Sequence, residues 1–258
     1  MTWQPVDCHA HSTFSDGKLT VAEVVERAAA LGVRPSVSDH ISHASAYAMD
    51  TIAEVVDYLD ALDEFDVLRA GEFCWHDTFW RELPGDVVRR FTHRLGSLHA
   101  VRLPDGRLVG AFSHHIPTDL AVDAYMDAHA ACVEQLAREM PVDVFAHPTL
   151  IALPFRELDV DMLWTEARET RIVDALYHAG IAFEVSSRYW PHERIVRRAK
   201  DRGVRISLGS DGHTREQVAN ISRPLALARQ LGIADEDLYD PLRHGSRTVV
   251  GTNARIKL

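Results

Sequence analysis

The chain has 258 residues, 46% hydrophobic and 26% charged, the profile of an ordinary globular protein able to bury a sizeable core. Acidic residues outnumber basic ones by 38 to 28, a formal charge of -10, which argues against binding long nucleic acid or making a polybasic membrane contact. No apolar run reaches the roughly 18 residues of a membrane span, the first residues lack the basic-then-apolar order of a signal peptide, and Cys8, Cys74 and Cys132 suggest no disulfide framework.

A cytoplasmic location is therefore expected. In chain order, short β-rich runs alternate with helical patterns. The first run is Trp3 to His9, followed by a helix opened by the capping box Thr20-x-x-Glu23 and stopped at Gly32. Val33 to Asp39 comes next, then a second helix with the same signature at Thr51-x-x-Glu54. Strands are expected at Asp66 to Glu72 and Arg94 to Val101, and a hairpin around Pro104-Asp105-Gly106. A helix from about Asp119 to Glu139 leads to the run Val142 to Ala146. A helix around Trp164 to His178, the run Ile181 to Val185, a helix from Pro191 to Arg202 and the run Val204 to Leu208 follow. Helices from Thr214 onward complete the pattern. Seven strands alternating with helices imply parallel pairing, in an open sheet or a barrel.

The polar residues favour the barrel. Nearly every run ends in His, Asp or Glu, and a parallel barrel gathers such ends on one rim. The fifteen histidines are about twice the usual number and cluster at these ends. His9 and His11 are two apart, so an extended backbone points both to one side, as it does Asp211 and His213. The candidate metal ligands are His9, His11, Asp16, His40, Glu72, His99, His147, Asp211 and His213. Imidazole and carboxylate suit Zn, Mn or Fe, and nine ligands suit two or three divalent ions. A lone His-x-His is weak and His147-Pro148 alone is a common strand end; their joint placement carries the inference. His129, His178 and His244 scatter over helix faces and loops, as structural histidines do.

In this order the motifs resemble the PHP (polymerase and histidinol phosphatase) superfamily. They are His9-x-His11 with Ser15-Asp16-Gly17, Ser38-Asp39-His40, Glu72, His99, His147 and Gly209-Ser210-Asp211-Gly212-His213, spanning roughly Val6 to His213. The resemblance implies an α/β fold, a distorted seven-stranded (β/α)7 TIM-like barrel, as one domain over 1–258 with a hairpin insertion around 101–113. It implies that His9, His11, Glu72 and Asp211 hold a first ion, Glu72 bridging to a second completed by His99 and His147. Asp16, His40 and His213 would hold a third, where some relatives have His in place of Asp16.

Three divalent ions against three carboxylates leave a site of about +3, matched to a phosphomonoester dianion. The expected reaction is hydrolysis of a small phosphorylated metabolite by a metal-bridging hydroxide. Glu72, Asp211 and His213 are then catalytic, either of the last two carrying a proton to the leaving group. Histidinol phosphate resembles the best-known substrate. Arg156 and Arg188, with His43 and His115 (His114 beside it), are candidate substrate contacts in loops after strands. Glu184 is expected behind the ligands or at the rim, Asp39 and Cys8 as packing, Cys74 (two past Glu72) not as a further ligand, and Trp75, Phe79 and Trp80 as core. A nucleotide or short-oligonucleotide phosphoesterase, with phosphodiesterase activity, is the near alternative. An amidohydrolase-type C–N hydrolase is less favoured because no mid-chain strand offers its lysine. A non-catalytic barrel would be expected to have lost ligands.

Overall fold

The computed structural model describes residues 4–246 and, as backbone, the strands Thr248–Val250 and Arg255–Lys257. Trp3, where the first expected run begins, lies outside the described residues. The strands are β1 (Val6–Asp7), β2 (Arg34–Val37), β3 (His40–Ile41), β4 (Leu68–Arg69), β5 (Glu72–Cys74), β6 (Leu95–Ser97), β7 (Ala100–Arg102), β8 (Leu108–Gly110), β9 (Val144–Phe145), β10 (Ala182–Ser186) and β11 (Ile206–Gly209). They form a six-stranded parallel sheet, β11-β10-β9-β6-β5-β3, and a three-stranded parallel sheet, β1-β2-β4. The α/β class is as expected. The run at Val33–Asp39 holds only β2, β3 starting beyond it at His40, because Ser38 and Asp39 turn their side chains to the backbone and hydroxyls of the 10–15 segment; the run at Asp66–Glu72 holds β4 and opens β5 at Glu72. Backbone bonds nevertheless cross the breaks, from Ala70 N to Val37 O and Glu72 N to Asp39 O. The last strand also meets the first: Cys8 N donates to Leu208 O and Asp211 N to His9 O, at 2.9 and 2.8 Å.

The helices are α1 (Val21–Leu31), α2 (Ile52–Asp63), α3 (Gly85–Val88), α4 (Val122–Glu139), α5 (Val160–Leu163), α6 (Glu166–Ala179), α7 (Glu193–Arg202), α8 (Ser222–Gln230) and α9 (Pro241–His244). Thr20 and Thr51 make the two capping boxes, and Gly32, Gly180 and Gly203 end α1, α6 and α7 in the left-handed conformation glycine favours. Pro191 stands before the first helical position, because His192 is the N-cap of α7. The region after Thr214 also differs: beyond α8 and α9 come antiparallel strands β12 (Thr248–Val250) and β13 (Arg255–Lys257). The expected hairpin is β7 paired antiparallel with β8. No helix among the described residues is long and apolar enough to cross a membrane.

Packing accounts for the arrangement of the layers. A large apolar cluster joins helix residues such as Val24, Ala28, Leu59 and Val133 to Val37, Ile41, Phe73, Phe145 and Phe183 of the strands. A smaller one collects Val6, Cys8, Leu68, Leu95, Val144 and Ala182 from successive strands. Side chains alternate along a strand, so with both faces buried the polar residues are left to the strand ends.

Candidate metal centre

All nine candidate ligands meet. His9 and His11 follow β1, His40 opens β3, Glu72 opens β5, His99 follows β6, His147 follows β9, and Asp211 and His213 follow β11. Asp16 stands on a loop folded back by Gly17, where a Cβ would lie 2.5 Å from the His11 carbonyl. Because the strands are parallel, their carboxyl ends face one way.

Glu72 is the hub. Its Oε1 lies 3.1 Å from His147 Nε2 and 3.2 Å from His99 Nε2; its Oε2 lies 2.9 Å from His40 Nδ1, 3.4 Å from His9 Nε2 and 3.5 Å from His11 Nε2. Asp211 Oδ1 is 3.4 Å from His11 Nε2, and Asp16 Oδ1 is 3.2 Å from His213 Nε2. Three groups have ligand atoms within 4.8 Å of one another: His9, His11 and Asp211; His40, Glu72 and His99; and His11, Asp16, His40 and His213. His11 Nδ1 and His147 Nδ1 are buried without hydrogen-bond partners. Six imidazoles and three carboxylates so close, with Glu72 only 1% exposed, fit divalent cations better than any neutral packing arrangement.

Electrostatics keep the carboxylates ionised. Burial opposes charge on Glu72, but His40, His99 and His9 hold its carboxyl well below the usual range. Asp211 and Asp16 are held low against burial by the surrounding imidazoles. Burial likewise opposes charge on His9, yet Glu184, Asp211 and Glu72 hold it well above its ordinary value; His11, buried and facing His40, is pushed down to about 3. Strain concentrates here too: His147 and Asp211 have φ of 35° and 49°, a left-handed region non-glycine residues seldom enter.

A second layer of carboxylates fixes the first. Glu184, fully buried, takes His9 Nδ1–H at 2.8 Å and His147 N–H at 2.5 Å. Asp7 accepts from Ser210 N, Ser210 Oγ and Ala219 N, pinning the loop that carries Asp211 and His213. Asp39 accepts from Ser12 N, Ser12 Oγ and Ser15 Oγ, pinning the loop that carries Asp16. Asp39 is thus more than packing. Cys74, not expected among the ligands, lies 3.1 Å from His99 Nδ1 and lines the cavity. Its position two after Glu72 was a legible signal, since it shares that strand face. The roles of Asp7 and Asp39 depend on serines far along or across the chain and had no such signal.

Seven of the nine ligands line a cavity of about 440 Å³, together with His76, Phe112, Arg188 and Tyr189; His9 and His11 are buried beneath. Arg188 lies 2.5 Å from His213 Nδ1 and 3.9 Å from Asp211. Arg156 is turned aside, donating to the carbonyls of Ile151 and Ala111 and lining a neighbouring cavity. His43 packs on Phe79 near Glu82, and His115 is exposed beyond the hairpin, so neither lines the centre. Trp75, Phe79 and Trp80 are buried core.

Fold and site together define an α/β protein with a His/Asp/Glu cluster of metal-binding type just past the carboxyl ends of the parallel strands β1, β2, β4, β6, β9 and β11. Solved structures share that fold. The candidate histidinol phosphatase hisK from Listeria monocytogenes matches with a TM-score of 0.70 and 16% identity, over 83% of this chain and 97% of that one. Histidinol phosphate phosphatase (HISK) from Lactococcus lactis, solved with Zn, L-histidinol and phosphate, matches with a TM-score of 0.64 and 16% identity, over 90% and 95%. At this identity the likeness is one of fold. In sequence, DNA polymerase/3'-5' exonuclease PolX of Bacillus subtilis is 22% identical over 243 residues; the match takes in 87% of this chain but only 37% of that protein. No protein-family model matches the chain.

Proposed function

We propose that this protein is a PHP-type, metal-dependent phosphoesterase that hydrolyses a small phosphorylated metabolite. The observation that carries the reading is the meeting of His9, His11, Asp16, His40, Glu72, His99, His147, Asp211 and His213 around one cavity. Backbone bonds between the first and last strands, at Cys8–Leu208 and His9–Asp211, support reading the two sheets as one ring of seven strand positions. In this reading residues 1–258 are a single domain acting in the cytoplasm.

His9, His11 and Asp211 would hold one ion, Glu72 with His99 and His147 a second, and Asp16, His40 and His213 a third, as Zn, Mn or Fe. When bound, such ions supply Lewis-acid charge for phosphoryl oxygens and lower the pKa of water toward about 7. Glu184 holds His9 by its Nδ1–H, so that its Nε2 faces the cluster. Arg188, 37% exposed at the rim beside His213, is suited to fork onto the phosphate. Asp211 or His213 would relay to the leaving oxygen the proton given up by the attacking water. Histidinol phosphate is the first ester to assay, being a phosphate ester of the L-histidinol bound by the Lactococcus protein. A nucleotide phosphoesterase, including phosphodiester cleavage, is the second reading.

The test is phosphate release from histidinol phosphate and nucleoside monophosphates by metal-quantified protein. Turnover that His9→Ala abolishes, with the fold retained by circular dichroism, is expected. Full turnover in that variant refutes the scheme.

A further inference from the structure

Beside the metal cavity lies a second, of about 530 Å³, sharing Arg188 and Tyr189 with it as common wall. Its lining is built from loops after β9 and β10, and three of its side chains are aromatic: Trp164, Tyr189 and Trp190. Trp164 is buried, with its ring 5.8 Å from that of His192. Neither ring nitrogen of His192 has a hydrogen-bond partner, although its Nε2 lies 3.7 Å from the buried Glu169 carboxylate behind the wall.

Charge sets this cavity apart. None of its lining residues is acidic, whereas Arg156 and Arg188 both contribute to it. Arg156 is half-buried and stacked 5.7 Å from the Phe112 ring and 5.8 Å from the Tyr189 ring. It spends Nε and Nη2 on the carbonyls of Ile151 and Ala111, and no carboxylate among the described residues pairs with it. The half-buried Arg198, by comparison, pairs with Glu169 and Glu166, and the buried Arg168 with Asp123 and Asp127, while Arg27 and Arg34, half-buried like Arg156, pair with no carboxylate among the described residues but lie away from both cavities. A cation held between rings, without a counter-ion, in a pocket without acids, is arranged for an anion.

We infer that this second cavity receives the leaving group of the substrate, and that the leaving group carries an aromatic ring and an anionic group of its own. The ring packs against Trp164, Tyr189 and Trp190, and the anion meets the free edge of the Arg156 guanidinium. The ester phosphate stays beside Arg188 over the metal cluster. This inference rests on the phosphoesterase reading and narrows its substrate class.

The test separates ring from charge with 2-naphthyl phosphate, its 6-carboxylate and its 6-aminomethyl analogue, and glycerol 2-phosphate as the ring-free ester. In metal-loaded protein, kcat/KM for the carboxylate is expected at least about tenfold above the parent, the scale of one charge-assisted contact, with the aminomethyl and glycerol esters below it. Arg156→Gln should erase the advantage of the carboxylate over the parent. Binding of 6-hydroxy-2-naphthoate, followed by quenching of tryptophan fluorescence, reads the cavity without turnover and should weaken about tenfold in Arg156→Gln. Equal kcat/KM for the carboxylate and aminomethyl esters, or naphthoate binding unchanged by Arg156→Gln, overturns the inference. Naphthoate binding without hydrolysis of any ester would instead keep the cavity and remove the phosphoesterase reading.

Discussion

Gly209 ends β11 against the site, and replacing it with alanine probes the layer behind the ligands. A Cβ there would fall on Glu184 Oε1, with Glu184 Cδ and His9 Cβ each 2.9 Å away. Carbon atoms prefer about 3.5–4.0 Å, so both side chains must retreat by more than half an ångström. Neither has room: His9 and Glu184 are fully buried. The bonds from His9 Nδ1 and His147 N to Glu184 would break or lengthen. Charge-assisted bonds contribute about 1.5–3 kcal/mol each and overpacking costs about 1–3 kcal/mol, so losing one of the two bonds on top of overpacking should destabilise Gly209→Ala by about 2.5–6 kcal/mol. Urea unfolding measures the loss, and elemental analysis should show fewer bound ions. If the clash with Glu184 is the cause, adding Glu184→Ala to Gly209→Ala should cost far less than the sum of the single changes. A Gly209→Ala protein within 1 kcal/mol of the parent, with its full metal content, or additive effects in the pair, would refute the reasoning.

Three further predictions follow from particular residues. Asp39→Ala strips the acceptor from Ser12 N–H and two serine hydroxyls, at about 1–3 kcal/mol for the buried donor, and should loosen the Asp16 loop so that one ion is lost first; unchanged metal content counts against that role. Burial pushes His129 down from 6.5 to about 4, against a smaller opposing bond at Leu150. Between those values the unfolded chain binds more protons than the folded one, so stability falls as pH drops through this window, by about 3 kcal/mol in all. His129→Leu should therefore lose that much less stability than the parent between pH 7 and pH 4 in urea titrations; parallel curves would contradict the assignment. Chelator treatment should lower the melting temperature, because ions at 100 times their Kd stabilise by about 2.7 kcal/mol and their removal leaves Glu72, Asp211 and the imidazoles crowded together. A melting temperature indifferent to chelator would argue that nothing is bound there.

The sequence carried the site further than the fold. His-x-His spacing and polar residues at the ends of β-rich runs were enough to place nine side chains that come together from distant segments. Strand limits were less legible, because Ser38, Asp39 and His99 interrupt runs that periodicity treats as continuous. The supporting carboxylates were harder still. Asp7 and Asp39 sit beside ligands and point away from them, and their partners, Ser210, Ala219, Ser12 and Ser15, are identified only by three-dimensional placement. Arg156 shows the opposite failing: a rim arginine by sequence, it turns behind Tyr189 to a pocket that no motif announced.

The decisive measurement is the number of divalent ions per chain in protein purified under metal-replete conditions, by elemental analysis. Two to three ions, reduced by replacement of Glu72 with Gln while the chain still folds, is what the account requires. A folded chain retaining less than one ion would mean that these strand ends assemble for some other reason.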